Sequence, residues 1–138
     1  MIKYMINTPY GSNIFKTNQI VEMSSKNNLS IIKQICLQNL FTYEGYIKAV
    51  TKIFSKKYNI PVYIDQNHMF IPIRRVRDYE NTWINYATVL TYEPYENQVL
   101  ITFKDYDRLI INMKYNLFHK RVETLNKIIN YTVKINEF

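Results

Sequence analysis

Glycine and proline are scarce, with 2 and 4 copies in 138 residues. No flexible linker and no low-complexity segment is therefore expected. Two glycines cannot build a phosphate cradle, and G-x-S-x-G, P-loop and G-x-G-x-x-G patterns are all missing. A single cysteine, Cys36, excludes an internal disulfide and suits a reducing cytoplasm. Histidine occurs twice, at His68 and His119, and neither has a companion at metal-ligand spacing. The carboxylates are scattered. No apolar run approaches the ~18–20 residues a membrane span needs, and the opening MIKYMINTPYGS lacks the apolar stretch of a signal peptide. These absences predict a cytoplasmic, non-enzymatic chain with no cofactor, no metal and no membrane partner, folded as one domain over residues 1–138.

What is present is apolar and basic. A hydrophobic share of 47% and an aromatic share of 15% argue for a packed core. The net charge is +7 and the pI about 9.4, a balance that favours polyanionic partners. Its distribution matters more than its total. Between residues 45 and 77 only Asp65 is acidic, against Lys48, Lys52, Lys56, Lys57, Arg74, Arg75 and Arg77. On a helix, positions 48, 52 and 56 stack on one face, and like charges four apart cost roughly 0.2–0.5 kcal/mol per pair. A chain that keeps such a stripe either solvates it or holds an anion against it.

Residues 2–6 and 12–23 read as strands around a turn at Pro9–Gly11. Leu29, Ile32, Ile35, Cys36 and Leu40 recur at helical spacing, with Asn28 or Ser30 able to cap, which predicts a helix over about 29–40. Tyr46, Val50, Ile53 and Phe54 predict a second over about 44–56, with the lysines on its other side. PVYID and HMFIPI flank a polar turn and read as a hairpin. RRVRDYENT is a charged loop, WINYATVLTY alternates as one long strand, and QVLITF with RLIINMKY makes another hairpin. Asn116 is expected to cap a closing helix lined by Phe118, Val122, Leu125, Ile129 and Val133. The fold class is α+β: a curled, mostly antiparallel, half-barrel-like sheet, with two helices inserted before the main strand run and a C-terminal closing helix.

Cys36 lies on an apolar helix face, where a buried thiol is expected rather than a nucleophile. Trp83 opens a strand and reads as a core anchor. The 13 tyrosines, Tyr58 beside Lys57 among them, offer stacking surfaces but also suit strands. Arg74, Arg75 and Arg77 follow a strand, where flexible arginines can meet phosphates or enter a narrow A·T-rich minor groove. The DNA-binding set is thus Lys48, Lys52, Lys56, Lys57, Arg74, Arg75 and Arg77, with double-stranded DNA as partner. One other reading competes on the residues alone: a single-strand or RNA binder using tyrosines on an open sheet face.

Several residues in order resemble one known family. They are Tyr43–Glu44–Gly45, Lys48–Ala49, Ile60–Pro61–Val62, Phe70–Ile71–Pro72, Glu80–Asn81–Thr82–Trp83–Ile84–Asn85 and Tyr115–Asn116–Leu117–Phe118. Together they resemble the competence transcription factor family, ComK, over roughly residues 30–125, and Cys36 falls where that family has a cysteine. The resemblance implies a cytoplasmic transcription activator that binds A·T-rich DNA through the minor groove as an oligomer. It also implies RNA polymerase and a Clp-protease adaptor as partners. Lys48 carries over the family's basic position after the glycine, and Trp83 with Ile84 its "WI" signature, as core. Tyr46 or Ile47 replaces the family's first basic residue, Ile73 stands where the family has threonine, and the chain stops soon after its last helix. A shortened or divergent paralogue is the expectation, and the resemblance also implies a rival reading: a truncated interaction module that hetero-oligomerises with a full-length relative.

Overall fold

The computed structural model describes residues 1–75 and 81–136. Arg77 lies outside the described residues. Nine strands and three helices follow in the order β1 (Ile2–Thr8), β2 (Gly11–Lys16), β3 (Val21–Ser24), α1 (Asn28–Gln38), α2 (Tyr43–Phe54), β4 (Val62–Asp65), β5 (His68–Pro72), β6 (Thr82–Asn85), β7 (Val89–Tyr95), β8 (Gln98–Phe103), β9 (Arg108–Ile111) and α3 (Tyr115–Asn136). Among the described residues the class is α+β as expected, with every strand pair antiparallel and no closed barrel.

The strands form two sheets. Six lie in the order β3-β2-β1-β6-β5-β4, and three in the order β7-β8-β9. Alternation along the central strands divides the core. Tyr4 pairs with Ile84, which pairs with Ile71, and this row faces the smaller sheet and α3. Met5 pairs with Trp83, and with Phe70 and Val62 these face α1 through Ile32, Ile35 and Cys36. Side chains two apart share a face and neighbours oppose, so the central strands of the larger sheet are buried on both sides. Trp83 is fully buried and anchors the helical side, as its sequence context predicts. A third apolar cluster, Val50, Ile60 and Ile128, seats α2 against α3.

Three expectations change. The stretch 12–23 is two strands, because Asn18 and Gln19 adopt left-handed φ of 64° and 63° and turn the chain back on itself. The long strand across WINYATVLTY breaks at Asn85, whose Oδ1 accepts from the Ala87 and Met69 amides while its Nδ2 donates to the Ile2 and Asn67 carbonyls. That Asx turn starts a short helical turn at Tyr86–Thr88 and carries the chain from the larger sheet to the smaller. Finally, Asn116 lies within the first turn of α3, because the helix already starts at Tyr115 and the Phe118 amide donates to the Lys114 carbonyl.

Single residues lock the sheets at two places. Lys3, only 1% exposed, joins one sheet to the other: its ammonium lies 3.1 Å from Asp105 and 2.7 Å from Asp107, in the loop between β8 and β9. Gly11 has φ of +148°, and a Cβ there would stand 1.9 Å from the Ser24 carbonyl oxygen, so only glycine lets β2 and β3 close. No helix among the described residues is long and apolar enough to cross a membrane.

Candidate nucleic-acid interface

Helix α2 starts where Thr42 Oγ1 accepts from the Gly45 amide at 3.0 Å. Tyr43, Tyr46, Ile47, Val50 and Phe54 give it one apolar face. Tyr46 pins that face: its hydroxyl donates to the Pro61 carbonyl at 2.7 Å and accepts from the Tyr63 amide at 3.1 Å. Burial pushes this phenol far above its ordinary range. Lys48 and Lys52 project from the opposite, solvent-facing side.

The lysine stripe does not continue to 56. Ser55 caps the helix in the left-handed region, φ 56°, and its amide donates to Thr51. Lys56, Lys57 and Tyr58 therefore stand on a loop and are exposed. A second left-handed residue, Asn59 with φ 54°, turns the chain into buried Ile60. Arg74 and Arg75 are also exposed, at the end of β5, where the Arg74 amide donates to Asn81 Oδ1 at 3.0 Å.

These segments meet. A cleft of about 790 Å³ has Leu29, Tyr43, Ile47 and Ile60 as its apolar lining and Lys57 and Arg75 as its cations. Tyr58 and Asn59 line it too, and they also line a smaller hollow of about 170 Å³ that holds Lys56 and, from α3, Lys120 and Arg121. Residues from α1, α2, the following loop, the end of β5 and α3 thus gather around Tyr58. Lys48, Lys52 and Arg74 line neither hollow; the two lysines form a ridge on the outer side of α2. Sequence periodicity does not single out Lys120 and Arg121. The basic triplet His119–Lys120–Arg121 is legible, but nothing local says which elements it will meet.

Arg121 is not a free cation. Its Nη1 donates to the Pro72 carbonyl at 2.6 Å and the Ile73 carbonyl at 2.7 Å, immediately before Arg74, and burial lowers its pKa. Among the described residues, four carboxylates pair elsewhere: Glu22 with Lys16 and Glu44 with Lys33, both at 2.9 Å, and Asp105 and Asp107 with Lys3. The hydrogen bond from Lys33 holds the Glu44 carboxyl below its usual range. Among the described residues, no ion pair involves Lys48, Lys52, Lys56, Lys57, Arg74 or Arg75.

The groups that would carry catalysis are placed differently. Cys36 is buried, and burial pushes its thiol up to about 11. His68 bonds Asp65 at 2.9 Å; His119 bonds the Tyr92 hydroxyl at 2.8 Å and Glu123 at 2.9 Å. Among the described residues, no group of three or more metal-ligating side chains comes together.

No curated protein and no solved structure matches this chain. A family model described as ComK protein does match, over residues 1–136 of the 138. That span exceeds the stretch from about 30 to 125 that the sequence motifs cover, and takes in β1, β2 and β3 at one end and α3 at the other. The chain therefore belongs to the ComK family.

Proposed function

We propose that this chain is a non-enzymatic transcription regulator, most simply an activator, that binds A·T-rich double-stranded DNA through its basic surface. The observation that carries the reading is the meeting of Lys57 and Arg75 at one cleft, with Lys56 and Lys120 in the next hollow. Family membership adds competence and transcription regulation as the setting. Lys48 and Lys52 extend the positive surface along α2. Such a surface supplies phosphate affinity through counterion release, with a slope of log K against log salt of about −0.9 for each phosphate neutralised. The cations at these hollows pair best with guanine edges, so a preference for A·T-rich duplex comes from groove width and deformability.

Gel shift and anisotropy on A·T-rich duplex at rising salt test this. The variant Lys57→Ala with Arg75→Ala should bind weakly at every salt and reduce the slope by about 2. Wild-type affinity in that variant would refute the site, and equal affinity for G·C-rich duplex would refute the groove-shape part. Self-association is supported by β3, an edge strand whose Met23 is 88% exposed and whose Val21 is 54% exposed. Sedimentation with and without duplex checks it.

A further inference from the structure

The basic surface has a feature that phosphate binding does not require. Under Lys57 and Arg75 lies an apolar floor, Leu29, Tyr43, Ile47 and Ile60, in a cleft of about 790 Å³. That volume is in the ~300–1,000 Å³ range of organic-ligand pockets. A phosphate gains nothing from such a floor and loses hydration over it. The fitting occupant is flat or apolar in body and joined to negative charge.

Tyr58 stands at this cleft 81% exposed, although it is a large aromatic. Its backbone is set by left-handed residues on both sides, Ser55 and Asn59, so the loop presents the ring rather than trailing it. Tyr58 also lines the hollow that holds Lys56 and Lys120. One exposed ring is therefore bracketed by cations from three segments of the chain.

We propose that this cleft receives a nucleobase unstacked from the duplex, with Tyr58 as its stacking surface and Lys57 and Arg75 on the flanking phosphates. The inference rests on the DNA-binding reading and goes one step past it. A base is the part of a nucleic acid that is flat, apolar on its faces and tethered to phosphates on either side. Unstacking is easiest at flexible A·T steps and at mismatches, so the cleft favours sites already prone to open.

The test uses the full chain and one A·T-rich duplex in two forms, fully paired and with one central mismatch, each carrying 2-aminopurine at the centre. Wild type should raise the 2-aminopurine fluorescence and bind the mismatched form about tenfold tighter, because part of the opening cost of a few kcal/mol is already lost at a mismatch. Tyr58→Ala should bind the two forms equally and give no rise, while Tyr58→Phe keeps both effects. Because Tyr58 is exposed, both variants should fold as wild type does, and circular dichroism verifies this. Wild type that binds the paired duplex but shows no fluorescence rise and no mismatch preference overturns the inference and leaves the DNA-binding reading standing. Wild type that binds no duplex at low salt overturns both.

Discussion

Arg121 joins the fold to the basic surface, and replacing it tests that link. In Arg121→Met the hydrocarbon stem is kept and the guanidinium is lost. The Pro72 and Ile73 carbonyls, both on buried residues at the end of β5, lose their donor. Each unsatisfied buried carbonyl costs about 1–3 kcal/mol. The two bonds share one nitrogen, so they do not add fully, and the variant also escapes the burial that lowers the Arg121 pKa. A net loss of about 2–3 kcal/mol follows. For a chain of this size that lowers Tm by about 6–12 °C, measured by calorimetry or circular dichroism. The functional consequence is separable. Arg121 fixes the two residues before Arg74, so duplex affinity should fall in Arg121→Met but much less so when Arg75→Ala is already present. A Tm within about 1 °C of wild type would show that water satisfies both carbonyls and would remove the stability reasoning. Fully additive affinity losses would show that Arg121 touches DNA directly and would remove the positioning role.

Lys3 makes stability depend on pH at both extremes. Burial alone would lower its pKa, but hydrogen bonds to Asp107 and Asp105 outweigh that and raise it above 10.5, so this contribution is complete below 10.5 and is lost as pH climbs past the raised value. Burial alone would raise Asp105, but hydrogen bonds from the Asp107 amide and Lys3 hold it below 3.8, so its contribution is present above 3.8 and is lost as pH falls through the lowered value. Lys3→Met should flatten both limbs of a denaturation-midpoint profile and cost about 1–3 kcal/mol, less than a fully buried pair because Asp107 is 44% exposed; an unchanged profile would refute the role of the pair. Cys36, buried and with its thiol pushed up to about 11, should resist an aromatic disulfide reagent at mildly alkaline pH until the chain unfolds. Full labelling of the folded chain faster than unfolding would contradict that burial.

The elements are largely legible in the sequence because their signals are local. The alternation of Tyr4, Met5, Trp83 and Ile84 sets two faces, and the 3.6-residue recurrence through Ile32, Ile35 and Cys36 sets a helix. What is not legible is where a polar side chain is worth more as a cross-link than as a member of the pattern. Asn85 sits inside an alternating run and looks like any outward-facing strand residue. It ends the strand because one amide group serves four backbone partners, on β1, on β5, in the turn between β4 and β5, and in its own turn. Likewise Asn28 or Ser30 is expected to cap α1, but the cap is Asn27, whose Oδ1 accepts from the Ser30 amide. Asn27 takes the role because the Asn28 side chain is committed to the Met5 and Asn81 carbonyls, a choice made by residues far away in the chain.

The site shows the same division more sharply. Four-residue spacing places Lys48, Lys52 and Lys56 on one stripe, and the spacing is real, but a helix carries it only while the helix lasts. Ser55 enters the left-handed region without a glycine to announce it, and Lys56 leaves the stripe. That termination is what builds the basic surface. It frees Lys56, Lys57 and Tyr58 onto a loop that meets Arg75 on one side and Lys120 on the other. An uninterrupted helix would have kept Lys56 on the outer ridge with Lys48 and Lys52, away from both hollows. The excess of positive charge is therefore readable in the sequence. Its concentration around one exposed ring comes from a single helix end and from the path of α3, and no local pattern encodes either.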